Sequence, residues 1–346
     1  MMQRRQFLTV LGALGLVPTA GMLVGCQQKT NMTVVVPFPP GGGGDVLARI
    51  ILQPLSESTE RSVVIMNRAG AGGNVGTRFV SRITQGEGQY LYVTNGTLCV
   101  NKHLYGSGEP GASGAKTDAA GGFFDPVKDL KFVASFSRIP LVMALNVNAL
   151  EGVTDFDTLI GYAKAHPGAL ACASAGVGTT SHIASAIFSK LAGVEINHIP
   201  HAGGAAAAKE VLSGRIPFFI DVAPNVLPLV RDGRLKPLAV TSRTRSTLLP
   251  EVPTLIELGL KDFDLTAWDG LAASRNVSDA EIAGVHKAVN AILEQKAVAE
   301  RLSRLGAEPS MMTREGFEQF IEKENPRWES FVKTFVRPLM DSKKSC

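Results

Sequence analysis

The stretch VVVPFPPGGGGDVLAR, residues 34–49, decides the fold. Its valine-rich run predicts a strand that ends at the prolines, and four glycines then lead into Asp45 and an apolar pattern with helical spacing. Such a strand, glycine loop and helix can hold an anion, because the first N–H groups of a helix lack partners. No Lys-Ser or Lys-Thr follows the glycines, which excludes a Walker nucleotide loop. Asp45 is expected to cap the helix by accepting backbone N–H bonds, and so to fix the loop; a direct contact with the ligand is the less favoured alternative.

Strand-like and helical segments alternate along most of the chain. Helices are predicted at about 45–58, 75–83 and 155–165. The run ALACASAG, then VGTTSH and an apolar helix, repeats the strand, small-residue loop and helix of the first stretch. We therefore predict an α/β fold with largely parallel strands and two similar lobes.

Other segments are less regular. A long strand-like run over 131–147 is predicted to be interrupted at Pro140, and residues 106–122 show no apolar periodicity and predict a surface loop. A last helix from about Thr313 is predicted to kink or break at Pro326, because proline removes a backbone hydrogen bond.

Length and charge narrow the class of protein. A chain of 346 residues exceeds a comfortable single core, so two domains or one large one are expected. The formal net charge is +4, and Arg4 and Arg5 supply two of these charges. No long basic run and no basic stretch with interleaved aromatics is present, so we expect no nucleic-acid partner.

The first residues, MMQRRQFLTVLGALGLVPTAGMLVGC, show the three zones of an export signal over 1–25. Arg4-Arg5 resembles a twin-arginine signal, and LVGC resembles a lipobox that predicts cleavage before Cys26 and a lipid on its sulfur. Residues 26–31 would form a linker. The alternative is an uncleaved membrane anchor over 7–25, although this span is weakly apolar. Both interpretations put the working domain outside the cytoplasm.

Cysteine and histidine spacing gives no metal motif. Cys99 and Cys172 lie in apolar strand-like runs and are expected to be buried, unpaired small residues. His198 and His201 flank Pro200 and would lie at a strand end and loop. We expect neither a metal nor another cofactor.

Two further small-residue loops are candidate sites. NRAGAGGNVG, residues 67–76, has the wrong glycine spacing for a dinucleotide site. In ASAGVGTTSH, residues 173–182, Ser174 or Ser181 could act as a nucleophile with His182, but the G-x-S-x-G motif is missing. Hydrogen-bond donors at a helix start are the favoured interpretation of this loop. An extracytoplasmic serine hydrolase stays as an alternative function.

Seven motifs in order resemble the solute-receptor family of tripartite tricarboxylate transporters, the Bug-type periplasmic receptors. They are VVVPFPPGGGGDVLAR, NRAGAGGNVG, YVTNGTL, FFDPVKDL, ASAGVGTTSH, GRIPFFIDVAPNVLPLVRDGRLKPLAVTS and LPEVPTLIELGL, and the similarity runs from about residue 32 to the C-terminus.

The resemblance implies a two-lobed type II periplasmic-binding-protein fold with a ligand cleft between the lobes. Two strands would cross between the lobes, near 137–142 and 238–242. Lobe I would comprise 32–139 and 241–346, and lobe II 140–240.

It also implies a function and a set of site residues. The chain would be a monomeric receptor that binds a small organic carboxylate and delivers it to membrane permease subunits; a receptor that presents its ligand to a signalling partner is the other possibility. The implied pocket includes the turn after Pro200. The predicted ligand-binding residues are Phe38, Pro39, Gly41, Gly42, Gly43, Asp45, Ala71, Gly72, Asn74, Asn95, Thr97, Ser174, Gly176, Gly178, Thr179, Ser181, His182 and Asp221.

The chain departs from the family pattern in three places. His201-Ala202-Gly203 stands where Tyr-Lys-Gly is usual, Gly44 where serine or threonine is common, and the loop over 106–122 is longer. The first two changes lie in pocket loops, so the usual ligand preference need not carry over.

Overall fold

The structure is a computed structural model that describes residues 31–85, 88–105 and 125–338. The predicted export signal, Cys26 and the predicted loop over 106–122 lie outside these residues. In chain order the elements are β1 (Met32–Val36), α1 (Gly43–Thr59), β2 (Val63–Asn67), a 3-10 turn (Ala71–Gly73), α2 (Asn74–Ser81), β3 (Gln89–Thr94), a π-helical turn (Gly96–Val100), α3 (Asn101–Tyr105), α4 (Pro126–Asp129), β4 (Leu130–Leu145), α5 (Phe156–Ala165), β5 (Leu170–Ser174), α6 (Thr180–Ala192), β6 (Ile196–Pro200), α7 (Gly204–Leu212), β7 (Phe218–Val222), α8 (Ala223–Arg231), β8 (Lys236–Val240), β9 (Thr266–Ser274), α9 (Asp279–Leu293), α10 (Lys296–Arg304), β10 (Glu308–Pro309), α11 (Arg314–Phe331) and a second π-helical turn (Val332–Val336).

The strands form one curled sheet in two parts that share β4. The order along the sheet is β2-β1-β3-β9-β4-β7-β5-β6, and β8 and β10 also pair with β4. The first part of β4 pairs with β9, and the last part, from Leu141, pairs with β7 and β8. We call β1, β2, β3, β9 and the first part of β4 lobe I, and β5 to β8 with the last part of β4 lobe II.

Strand direction is only partly as predicted. The outer strands of each lobe are parallel, in β1–β2, β1–β3, β5–β6 and β5–β7. Every pair that involves β4 or β9 is antiparallel. The prediction of largely parallel strands therefore fails around β4, where the chain passes between the lobes.

The predicted interruption at Pro140 is wrong, and so is a break at Pro326. β4 runs without a break through Pro140, which lies where the strand leaves β9 and begins to pair with β7 and β8. A residue without an N–H is tolerated at such a change of partner. Helix α11 likewise continues through Pro326, which is exposed, so water can bond the carbonyl that the proline leaves without a donor.

The core explains how α1 is positioned. Leu47, Ile51 and Leu55 recur at helical spacing and are all buried. They belong to one apolar core with the valines of β1, and α1 also packs against α8 and α9. This packing fixes the position of α1 in lobe I. The helix runs from Gly43 to Thr59, so it starts two residues before the predicted one. Cys99 and Cys172 are buried and unpaired, which confirms the prediction for them.

A second passage between the lobes lies beside β4, directly after β8. The Thr241 N–H donates to the Leu141 carbonyl at 3.0 Å, and the Leu141 N–H donates to Thr241 Oγ1 at 3.1 Å. The Thr241 hydroxyl also donates to the carbonyl of Leu265 at 2.6 Å. Thr241 is fully buried, and these hydrogen bonds hold the two passing segments together.

A further contact between the lobes comes from the C-terminal turn Val332–Val336, which packs against α6.

Candidate functional site

A cavity lies between the two lobes. It holds about 670 Å³ of empty space, a volume that includes open solvent at its mouth. A wider outer cavity adjoins it and shares Phe38, Gly72 and Thr179 with it. The inner cavity is lined by Phe38, Pro39, Gly42, Gly43, Gly44, Leu47, Gly72, Tyr92, Thr94, Asn95, Gly96, Ile139, Ala175, Thr179, Thr180, Ser181, Gly203, Gly204, Asp221, Val222, Asn225, Ala267 and Trp268.

The lobe I wall begins at the glycine loop before α1. Gly42 is the N-cap residue and has no side chain to cap the helix. The Gly43 N–H instead donates to Asn225 Oδ1 at 2.8 Å, and Asn225 belongs to α8 in lobe II. This hydrogen bond therefore joins the two walls.

Asp45 fixes the glycine loop from behind. Its Oδ2 accepts from the Gly41 N–H and from Arg49 Nε, both at 2.9 Å, and its Oδ1 accepts from Asn67 Nδ2 at 2.8 Å. Although burial favours the neutral acid, the hydrogen bonds from Arg49, Asn67 and Gly41 lower the pKa of Asp45 below its usual value. Asp45 does not line the cavity. Asp45 therefore holds the loop, but the prediction that it caps α1 is wrong, because Gly42 is the N-cap residue and the backbone N–H that Asp45 accepts from precedes the helix.

Asn95 is a buried amide in the lobe I wall. It has no exposed surface, and its Oδ1 accepts from Thr180 Oγ1 of lobe II at 3.0 Å. Its Nδ2 is buried and has no hydrogen-bond partner among the described residues. Because an unpaired buried donor costs about 1–3 kcal/mol, this group is a strong candidate to bind a ligand acceptor.

The lobe II wall begins at the loop before α6. Thr179 caps the helix by accepting from the His182 N–H and donates to the Gly176 carbonyl at 2.6 Å. Ser181 Oγ accepts from the Ala175 N–H at 2.8 Å. The loop thus satisfies much of its own hydrogen bonding, while Thr179, Thr180 and Ser181 face the cavity.

Ser174 and His182 of this loop are not part of the cavity lining, whereas Ser181 is. Ser174 is fully buried, and its Oγ lies 2.6 Å from Nε2 of His198. His182 accepts from the Gly178 N–H at 3.3 Å and stacks on His198 with 4.3 Å between ring centroids. Neither Ser174 nor His182 lines the cavity, so neither can reach a substrate there in this arrangement.

Asp221 places a carboxylate in the lobe II wall. Its Oδ1 accepts from the Val222 N–H at 2.8 Å, and its Oδ2 accepts from Asn225 Nδ2 at 2.9 Å. Only 2% of Asp221 is exposed, and this burial raises its pKa to about 6 despite both hydrogen bonds. Among the described residues that line the inner cavity, none is Lys, Arg or His.

Strands β3, β4 and β9 also contribute to the cavity lining. Ile139 of β4 and Ala267 of β9 are paired there, and Tyr92 packs edge-on against Phe38. The Tyr92 hydroxyl donates to Asp269 Oδ2 at 2.5 Å.

Asp269 lies fully buried in β9 and does not line the cavity. Its Oδ1 accepts from the backbone N–H and hydroxyl of Ser137 at 2.8 and 2.7 Å. Burial raises the pKa of Asp269 to about 6.

The two walls are in close contact. A Cβ added at Gly72 would overlap the Val177 carbonyl oxygen, and one added at Gly96 would lie 3.1 Å from the Gly178 carbonyl oxygen. Since Gly72 and Gly96 are in lobe I and the two carbonyls in lobe II, the structure has a closed cleft in which glycines allow the approach.

The predicted site residues fall into three groups. Nine line the inner cavity: Phe38, Pro39, Gly42, Gly43, Gly72, Asn95, Thr179, Ser181 and Asp221. Ala71 and Gly176 line only the outer cavity. Seven line neither cavity: Gly41, Asp45, Asn74, Thr97, Ser174, Gly178 and His182. These last residues shape the loops; Thr97 Oγ1, for example, accepts from the Thr94 N–H at 2.9 Å.

The sequence analysis missed the lining residues that lie outside the glycine and hydroxyl loops. These are Leu47, Tyr92, Thr94, Ile139, Val222, Asn225, Ala267 and Trp268. Most lie in strands or beyond the first turn of a helix, where apolar periodicity predicts only burial. Asn225 had one usable signal, because it is a polar residue in the first turn of the helix that follows Asp221.

The fold and the cleft together define a two-lobed solute-binding protein. Residues 47–336 match the family of tripartite tricarboxylate transporter receptors, and the chain belongs to this family. It is 32% identical to the protein BugT of Bordetella pertussis over 96% of this chain and 98% of that protein.

Solved structures agree with this assignment. An R. palustris protein with adipate has a TM-score of 0.79 and 30% identity, over 88% of this chain and 96% of that one. MatC from Rhodopseudomonas palustris with bound malate has a TM-score of 0.77 and 27% identity, over 87% and 98% of the two chains. A periplasmic binding protein is also among the structural neighbours. The chain is therefore a receptor of the periplasmic solute-binding class.

Proposed function

We propose that this protein captures a small organic carboxylate in the cleft and delivers it to the permease subunits of a tripartite tricarboxylate-type transporter. One observation carries the proposal: helices α1, α6, α7 and α8 all begin at the inner cavity, and Asn95, whose buried Nδ2 is unpaired, accepts a hydrogen bond from Thr180 at the start of α6. Helix starts attract anions through their N–H groups and dipoles.

The chemistry of the cavity favours a carboxylate. Three or four charge-assisted hydrogen bonds of about 1.5–3 kcal/mol each would offset the ordering cost and leave a micromolar dissociation constant, about −8 kcal/mol. The adipate and malate in the related structures are carboxylates, which supports the same class for this chain.

Capture would use closure of the two lobes. We propose lobe boundaries at 139/140 and 240/241, with residues 32–139 and 241–346 moving against 140–240. The paired passages at Leu141 and Thr241 support a hinge there, because few backbone segments cross at that point.

Calorimetry with a panel of mono-, di- and tricarboxylates tests the binding proposal, with X-ray scattering to report compaction of a monomer. We expect at least one micromolar ligand, and a radius of gyration that falls when it binds. Asn95→Ala should weaken binding at least about tenfold by removing a charge-assisted bond. The matched control is Asn197→Ala, which truncates an exposed asparagine of lobe II and should leave affinity unchanged. A panel without any binder would refute the proposal.

Delivery to a permease needs a separate test. Cells that contain the permease subunits should take up the labelled ligand only when this protein is present. A receptor that presents its ligand to a signalling partner would instead bind the ligand without supporting uptake.

We also propose that the chain is exported and anchored through a lipid on Cys26. The twin-arginine-like start and the LVGC lipobox support this. Among the residues that the structure describes, no helix has the length and apolarity to cross a bilayer. Mass spectrometry of membrane-fraction protein should find a lipidated Cys26 at the mature N-terminus, and Cys26→Ser should release the protein from membranes. An unprocessed N-terminus would contradict the anchor.

A further inference from the structure

We propose that the cavity selects a small carboxylate that also carries a hydroxyl or ammonium group, with the carboxylate bound at Asn95 and the start of α6, and the donor bound at Asp221. This inference rests on the proposed function and narrows its ligand class.

The carboxylate end is defined by Asn95. Its Oδ1 is occupied by the Thr180 hydroxyl at 3.0 Å, and this bond leaves its Nδ2 as the donor without a partner. Thr180 and Ser181, in the first turn of α6, line the same cavity. First-turn N–H groups have no partner within the helix, so they and the Asn95 amide form one set of donors for an anion.

The other group of polar side chains has the opposite character. Asn225 is engaged at both ends of its amide, because its Oδ1 accepts from the Gly43 N–H and its Nδ2 donates to Asp221. The N–H that begins α1 is thereby occupied by a protein oxygen. Asp221 accepts one bond at each oxygen, and a carboxylate has about four acceptor positions, so it can accept further bonds.

Asp221 therefore prefers a ligand donor. It is buried, it lines the cavity, and no cationic side chain lines the inner cavity among the described residues. Burying a carboxylate is costly unless it is paired or hydrogen-bonded, and a ligand hydroxyl or ammonium would supply that bond. A second ligand carboxylate at this place would meet a like charge in a poorly solvated site. At neutral pH Asp221 is ionised, since its pKa is raised only to about 6.

Two matched series of ligands test the inference by calorimetry at neutral pH. The first is butyrate, γ-hydroxybutyrate, γ-aminobutyrate and succinate; the second is hexanoate, its terminal hydroxy and amino derivatives, and adipate. In the series that fits the cavity, we expect the donor-bearing compounds to bind about tenfold tighter than the unsubstituted acid and the diacid.

Variants identify the residue responsible. Asp221→Asn should remove the preference for the ammonium compound and improve diacid affinity about tenfold, because the like charge is gone. Asp232→Asn, which removes the same charge from an exposed position after α8, should keep the wild-type ranking. Thermal melts confirm folding; if Asp221→Asn does not fold, the wild-type ranking alone decides.

The possible results separate the two proposals. Diacids that bind wild type most tightly, or an Asp221→Asn variant with the wild-type ranking, would overturn the inference while leaving carboxylate binding intact. If no compound of either series binds, the inference also fails, and the broader panel then decides the proposed function independently.

Discussion

The two walls of the cleft start their leading helices in different ways. Helix α6 in lobe II is capped locally, since Thr179 accepts from the His182 N–H within the same loop. Helix α1 in lobe I follows glycines and has no side-chain cap of its own. Its Gly43 N–H is bonded by Asn225, which is 182 positions away in sequence and belongs to the opposite lobe.

This difference connects helix capping to closure. The cap of α6 should persist whether the cleft is open or closed, because all its atoms belong to one loop. The bond from Gly43 to Asn225 should exist only when the walls meet. An open lobe I wall would therefore present unpaired N–H groups, and a closed one would present them partly satisfied.

Blocking contact between the walls should have the largest effect. In Gly72→Ala the new methyl would overlap the Val177 carbonyl, so full closure should be prevented. We expect affinity to fall from micromolar to about millimolar, a loss of about 4 kcal/mol, because one wall can no longer contribute. Calorimetry measures the affinity, and scattering should show no compaction with ligand.

Gly152→Ala is the matched control for this variant. Gly152 has a similar φ, 73° against 61° for Gly72, but a Cβ there would meet nothing within 4 Å. It should show the stability cost of the left-handed backbone, about 1–2 kcal/mol, with unchanged affinity. Equal affinity losses in both variants would mean that backbone strain, and not contact between the walls, controls binding.

Each lobe also holds a buried acid, and these should make stability depend on pH. Burial raises the pKa of Asp269 to about 6, above the ordinary value of 3.8. The folded protein therefore binds this proton more readily than the unfolded chain, and the contribution to the unfolding free energy falls as pH rises from about 4 to 6. The expected size is about 3 kcal/mol.

Asp269→Asn isolates that contribution. The unfolding free energy of the variant minus that of wild type should become more positive by about 2 kcal/mol between pH 4 and pH 7, measured by urea titration. The exposed Asp262→Asn removes the same charge and serves as the reference. A pH-independent difference for Asp269→Asn would contradict an acid whose pKa is raised by burial. The same measurement on Asp221→Asn then shows whether the buried acid of lobe II gives the same pH dependence of the unfolding free energy.

Local structure was largely predictable from sequence. The predicted helices at 45–58, 75–83 and 155–165 correspond to Gly43–Thr59, Asn74–Ser81 and Phe156–Ala165, because apolar spacing and turn residues act over a few positions. The glycine and hydroxyl loops were recognised for the same reason.

The features that the sequence did not predict depend on which distant segments of the chain meet in the fold. Tyr92, Ile139 and Ala267 look like ordinary core residues, since apolar periodicity does not say that a strand passes under a cleft. Asn225 shows the limit most clearly, because its role needs the fold to bring Gly43 beside it. The continuous strand at Pro140 was mispredicted because a change of pairing partner is also a property of the whole fold.

Removing the cap that comes from the opposite lobe should have a smaller effect than blocking closure. Asn225→Ala leaves Gly43 unbonded and should shift the ligand-free protein toward the open form by about fivefold, or about 1 kcal/mol. Scattering without ligand should give a larger radius of gyration than wild type. An unchanged radius would show that this hydrogen bond does not favour closure. Asn197→Ala again controls for truncating an asparagine.

Removing the local cap should affect stability and leave closure unchanged. Thr179→Ala loses the acceptor for the His182 N–H, and caps of this kind contribute about 1 kcal/mol to the unfolding free energy. Thr179→Ser keeps the hydroxyl and should recover most of that loss. The ligand-free radius of gyration should match wild type in both variants. If Thr179→Ala opened the free protein as Asn225→Ala does, the α6 cap would also depend on contact between the walls, and the contrast between the two helix starts would be wrong.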